Sequence, residues 1–177
     1  QNISDDGSKN LKEKCEILSS LPLAYQPGTR FNYSVSLDVL ARIIEVASGK
    51  DLISVLDEEI LKPLDMKDTG FGVKEENVNR LMSTYGASNF KEIMNVKPHE
   101  LIETNVEEHN PYNKGDSFQR GGTGLFSTTQ DYLSFARMLL TGKSKTGEVI
   151  ISRNMINFMR VNRIPDSQLP LMLGPLP

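Results

Sequence analysis

Cysteine is nearly missing from these 177 residues: there is one, Cys15, so no internal disulfide framework and no cysteine-based metal site can be built. It shares a helical face with Leu11 and Leu18, and core packing explains it better than a reactive thiol does. Tryptophan is absent and histidine occurs twice. His99 and His109 have no second histidine or cysteine at ligand spacing, so both read as solvent-exposed, and no metal or cofactor is expected. No apolar run reaches the ~18 residues of a membrane span. The net charge of −3, without a basic stripe, argues against an electrostatic nucleic-acid binder. Gly121-Gly122-Thr123-Gly124-Leu125-Phe126 is glycine-rich but lacks the lysine of a phosphate-binding loop and the spacing of a dinucleotide loop. Its glycines read instead as a place where backbone comes close to another segment. The first residue is Gln1 and no signal-type stretch follows it, while the other end is proline-rich; both ends read as cut.

What is present centres on Gln26 to Gly49, QPGTRFNYSVSLDVLARIIEVASG. Pro27-Gly28 signals a type II turn, with proline fixing φ at the first corner and glycine taking positive φ at the second. Arg30 to Val35 reads as a short extended run. Ser36 opens a helix in which Leu40, Ile43, Ile44 and Ala47 fall at i, i+3, i+4 and i+7 and are expected to face the core. Asp38, Arg42 and Glu45 take the opposite face, with Asp38 and Arg42 placed for an i,i+4 pair, and Gly49 ends the helix as a C′ residue. Tyr33 would thus stand in a taut connection just before a buried helix. On spacing alone, a half-buried phenol with a satisfied hydroxyl explains it better than a reactive group does. A phenol titrates near ~10, so action as a base needs nearby cations or strong hydrogen bonds.

Residues 1–9 read as a frayed terminus, and Asn10 to Ser20 as a helix closed by Pro22. Asp51 can cap a third helix with Leu52, Ile53, Leu56 and Ile60 inward and Asp57, Glu58 and Glu59 outward, ended by Pro63. Three consecutive acids cannot converge on one ion, so that run is a solvated face. Leu81 to Tyr85 and Phe90 to Val96 are expected as short strands around Gly86-Ala87-Ser88-Asn89, and residues 97–120 as a long surface loop. Ser127 with Gln130 spells a capping box for a helix whose apolar face is Tyr132, Phe135, Ala136 and Leu139, ended by Gly142. Ser152 caps a last short helix with Met155, Ile156 and Met159 inward, before the proline-rich stretch 163–177. No repeat of solenoid period occurs.

Two blocks go further together than alone. LPLAYQPGTRFNYSVSLDVLARIIEVASGKDLISVLDEEILKPLDMKDTGF, followed after a loop by GGTGLFSTTQDYLSFARMLLTG, resembles the serine β-lactamase superfamily. The branch it resembles is the class C-type group with its family VIII carboxylesterases, penicillin-binding proteins and DD-peptidases, and the likeness runs from about Leu11 to Met159. The resemblance implies an α+β fold, of which residues 1–177 would be an incomplete, mostly helical portion with short strands. It also implies acyl transfer: a serine of a Ser-x-x-Lys box attacks an ester, amide or β-lactam, an acyl-enzyme forms, and two backbone N–H groups hold the oxyanion. Tyr33-Ser34-Val35 occupies the place of the Tyr-x-Asn box, making Tyr33 the expected general base or proton shuttle and Val35 the substrate-facing position.

Three departures matter. Val35 cannot donate the amide hydrogen bond that the family's asparagine gives a substrate carbonyl, which tilts the reading toward an esterase. No Ser-x-x-Lys precedes Tyr33 in these residues; Ser88-Asn89-Phe90-Lys91 matches literally but lies downstream, outside a buried helix. Lys145-Thr146-Gly147 spells the third box but falls between two helices. The chain is therefore expected to be inactive alone and, with apolar faces left open, to self-associate. A non-catalytic binding module on the same fold is the alternative.

Overall fold

A computed structural model describes residues 8–31, 35–86, 101–104 and 119–169. Helix α1 (Leu11–Ser19) starts at Asn10, whose side chain accepts from the Glu13 N–H at 2.9 Å, while Glu13 reaches back to the Lys9 N–H. The arrangement is close to a capping box but shifted by one residue, because the acid takes the N–H ahead of the cap instead of the Asn10 N–H. Helix α2 (Ser36–Ser48) ends at Gly49 and α3 (Leu52–Leu56) starts at Asp51, both as the sequence indicates. The α3 turn then widens into a π-helical turn over Asp57–Leu61, in which the Lys62 and Met66 N–H groups reach the carbonyls of Asp57 and Leu61. The widening brings Leu61, Leu64 and Met66 all to the interior past Pro63.

A 3₁₀ turn (Glu75–Arg80) leads into β1 (Thr84–Gly86), which pairs antiparallel with β2 (Ile102–Thr104) in the register Thr84–Thr104, Tyr85–Glu103, Gly86–Ile102. The partner of the first strand therefore lies inside the stretch expected to be loop. The expected second strand at 90–96 falls outside the described residues, as do His99 and His109. Helix α4 (Thr129–Thr141) and helix α5 (Arg153–Met159) complete the chain, and a 3₁₀ turn at Asp166–Gln168 returns to the Pro27-Gly28 turn, where Gln168 Nε2 donates to the Gly28 carbonyl at 2.7 Å. That turn is as expected: Gly28 has φ +79° and Thr29 N–H closes on Gln26 O at 3.1 Å.

Two small cores hold these pieces. Leu11, Ala41 and Leu52 join α1, α2 and α3, with Leu56 and Phe71 against them. Leu61, Leu64, Met66 and Met138 join the π turn to α4, with Phe135, Leu139 and Ile151 among their neighbours. Full burial of each such leucine or methionine contributes about 2 kcal/mol.

Several facings differ from expectation. On α2 the polar stripe is turned inward: Asp38 is 5% exposed, Ala41 is buried, and Arg42 and Glu45 are half-buried, whereas Leu40 and Ile43 are 51% and 57% exposed. The reason is a set of polar contacts made with segments outside the helix and with the start of α3. Asp38 accepts from a distant backbone, Arg42 pairs with Glu45 at 3.0 Å rather than with Asp38, and Glu45 also accepts from the Leu52 N–H at 3.3 Å. On α4 the cap is Thr128, not Ser127, and the inward face is Asp131, Phe135, Met138 and Leu139, leaving Tyr132 and Ala136 exposed. On α5, capped by Ser152, only Ile156 of the three expected residues is buried. Lys14, one turn along from Leu11, is fully buried.

Candidate active-site scaffold

Residues 119–126 lace the helices together in order. Gln119 Oε1 accepts from the Ile53 N–H at 3.2 Å, occupying a donor at the start of α3. Two residues on, Asp38 Oδ1 accepts from the Gly121 N–H at 2.8 Å and from the Gly122 N–H at 3.3 Å. The approach is so close that a Cβ at Gly121 would stand 2.1 Å from the Leu37 carbonyl oxygen and 2.8 Å from Ala41 Cβ. Gly121 is thus required by contact, as the glycine pattern indicated. Gly124 then passes Phe71, and Phe126 exchanges both backbone bonds with Gly70 at 2.8 and 3.1 Å.

Beyond that bridge a second carboxylate takes over. Asp131 is 7% exposed; its Oδ2 accepts from the Asp68 N–H at 2.9 Å and from Thr69 Oγ1 at 2.8 Å. Thr69 has spent its proton on Asp131, so Ser127 Oγ, 2.8 Å away, donates to Thr69. Serine, threonine and aspartate in a row look like a relay, but a threonine hydroxyl is no base, and Ser127 gains no nucleophilic character from it. Asp68 is held in turn by Arg80 at 2.9 Å and Asn77 at 3.1 Å. A cavity of about 600 Å³ opens beside this network, lined by Lys67, Asn77, Arg80, Phe126 and Thr129 among others.

Of the residues singled out from sequence, Val35 is placed at the N-cap of α2, with φ −80° and ψ 21° and no side-chain bond to the helix. Tyr33 lies outside the described residues, two positions upstream, and so does the Ser88–Lys91 match. Lys145-Thr146-Gly147 forms an exposed turn between Lys143 and Val149, which bridge each other, rather than part of a sheet strand. Cys15 is half-buried; burial pushes its thiol up from the ordinary range, against a smaller opposing pull from Arg42. Among the described residues no cluster of three or more His, Cys, Asp or Glu could hold a metal ion, and no helix is long and apolar enough to cross a membrane. Asp38 and Asp131 were not legible as site-forming groups from spacing: an acid in a helix's first turn normally reads as a favourable charge near the dipole's positive end.

The chain matches the β-lactamase family model over residues 1–175. It is 34% identical over 151 residues to protein Rv1367c of Mycobacterium tuberculosis, a match covering 85% of this chain and 35% of that protein. It is 40% identical over 62 residues to esterase EstB of Burkholderia gladioli, covering 35% of this chain and 16% of the esterase. Among solved structures, simvastatin synthase (LovD) from Aspergillus terreus superposes with a TM-score of 0.67 at 20% identity, over 89% of this chain and 37% of LovD. The chain thus spans about a third of the length of Rv1367c and of LovD.

Proposed function

This chain belongs to the β-lactamase family, and from that premise we propose that it supplies the central part of a serine hydrolase working on an ester, amide or β-lactam through an acyl-enzyme. The observation that supports this reading best is the pinned junction just after Tyr33-Ser34-Val35. A proton-handling phenol needs a rigid mount, and the helix that begins behind it is tied to the Gly121-Gly122 backbone by a buried carboxylate. In this reading Tyr33 takes the proton from the nucleophilic serine and returns it to the leaving group, with a lysine beside it holding its pKa down.

Val35 favours an ester over a β-lactam, because an apolar side chain gives no amide donor to the substrate carbonyl; the esterase name of the Burkholderia relative leans the same way. The exposed apolar stripe of α2, including Leu37, Leu40, Ile43 and Val46, is where the remainder of the enzyme would pack. Alone, the 177 residues should self-associate through it and should leave fluorophosphonate and fluorescent penicillin probes unattached. A clean monomer on size-exclusion chromatography, or stoichiometric labelling of one serine here, would overturn those two expectations.

The decisive test uses the full-length gene product that carries this segment. Tyr33→Phe should slow acylation on the order of 10²–10⁴-fold, the loss typical of a positioned base. Wild-type rates would remove Tyr33 from the mechanism and shift weight to the second reading, a binding module that keeps the fold without turnover. That second reading is favoured by Val35, which gives a substrate carbonyl no side-chain donor, and it would be excluded by acyl-enzyme formation in the full-length protein.

A further inference from the structure

We propose that Asp38 is a positioning residue for the hydrolytic reaction: its carboxylate fixes where the turn that begins α2 at Val35 stands relative to the Gly121–Phe126 segment. The inference rests on the reading of Tyr33 as the proton-handling group. Three observations carry it. Asp38 lies in the first turn of α2, three residues beyond the N-cap Val35, and the chain that enters that turn carries Tyr33 five positions before Asp38. A single oxygen, Oδ1, takes two backbone N–H groups, Gly121 and Gly122, which fixes that glycine segment along two directions at once. The contact is also steric, since the missing Cβ of Gly121 is what lets its backbone sit against the Leu37 carbonyl and Ala41.

Among the described residues, little else defines the start of α2. Val35 offers no side-chain bond, its ψ of 21° is not the extended geometry of a capping residue, and the neighbouring Leu37 and Leu40 side chains are exposed. Asp38 could have served its own helix as an acid near the N-terminus. It is instead committed to another segment 83 residues away in sequence. The carboxylate touches no reacting atom, and its effect passes through Tyr33.

The test is a double-mutant cycle in the full-length protein, read as the acylation rate and KM with a p-nitrophenyl ester, with thermal midpoints measured alongside. Asp38→Ala should slow acylation about tenfold with little change in KM, whereas Asp38→Asn, which keeps an oxygen acceptor at the same reach, should stay within about twofold of wild type. In a Tyr33→Phe background Asp38→Ala should cost nothing further, because the group it positions is already gone. Equal losses in both backgrounds would overturn the inference and leave the Tyr33 reading standing. Wild-type rates for Asp38→Ala would also overturn it. Wild-type rates for Tyr33→Phe alone would overturn the functional reading itself, and the inference with it. If Asp38→Ala does not fold, Asp38→Glu, which keeps the charge and displaces the acceptor, goes through the same cycle: a loss confined to the Tyr33 background supports the inference, and equal losses in both backgrounds overturn it.

Discussion

Asp38 and Asp131 occupy the same helical position, the third residue of α2 and of α4, and both turn away from their own helix to hold a distant backbone. Their surroundings differ. Asp131 sits in a braced corner: Thr128 caps the helix from its own side chain, Thr69 adds a hydroxyl, the Phe126–Gly70 pair lies next to it, and Arg80 and Asn77 restrain Asp68 from behind. Among the described residues Asp38 has no such support, since α2 has no side-chain cap and both bonds converge on one oxygen. A braced carboxylate stabilises a fold; one that acts alone sets the position of the segment joined to it. The single tie lies on the helix that follows Tyr33 in the chain, and the cross-braced corner belongs to α4.

The contrast is sharpest at the glycines. Gly121→Ala drives a methyl group to 2.1 Å from the Leu37 carbonyl oxygen, so the glycine segment must leave Asp38 or α2 must move. The expected loss is about 3 kcal/mol, the upper range for overpacking against backbone. Gly122→Ala meets nothing closer than Leu37 Cβ at 3.7 Å and should cost less than about 1 kcal/mol. Urea unfolding of the full-length protein measures both, and equal costs would mean that the close approach is not real.

The two carboxylates come next. Asp131→Ala strands the Asp68 N–H and the Thr69 hydroxyl in a half-buried corner and should cost about 2–3 kcal/mol. Asp38→Ala releases two N–H groups of glycines that are themselves exposed, where water can replace the lost acceptor, so about 1–2 kcal/mol is expected. Stability and acylation should therefore rank oppositely: Asp131→Ala the greater loss of stability, Asp38→Ala the greater loss of rate. If Asp131→Ala proves the more damaging to acylation as well, the division between brace and positioning tie fails.

What was legible in sequence tracks the range of the forces involved. Turn and cap chemistry is local, so Pro27-Gly28, Gly49, Asp51, Gly142 and Ser152 are where the residue types put them. The direction a helix faces is not local. Periodicity found the apolar stripe of α2 correctly and then assigned it inward, because nothing within the helix records that Asp38 and Glu45 have backbone partners 83 and 7 residues away. The same blindness placed the α4 cap one residue early at Ser127, whose hydroxyl bonds with Thr69 instead. It also missed β2, since a three-residue strand in a polar stretch carries too little alternation to register. Family resemblance, by contrast, spans both blocks at once and therefore placed the chain correctly, while the residues it names for chemistry rest on position alone.

The smallest effect tests a third acid, Asp51, which does what Asp38 and Asp131 do not: it caps its own helix. Hydrogen bonds from the Ser54 hydroxyl and then from the Ser54 N–H, at 3.1 Å, hold its carboxyl below the usual carboxylate range. A carboxyl whose folded pKa is lowered stabilises the fold above its ordinary value near ~4, and loses that contribution as the pH falls through the lower, folded value. Asp51→Ala should therefore cost about 1 kcal/mol at neutral pH, the usual worth of a cap. The difference between the two proteins should shrink in the acid range below ~4. Because this cap is exposed and local, its removal should leave acylation unchanged, in contrast to Asp38→Ala at a comparable cost in stability. A fall in rate matching that of Asp38→Ala would mean that any weakening of this helical layer slows the reaction, and the distinction drawn for Asp38 would have no basis.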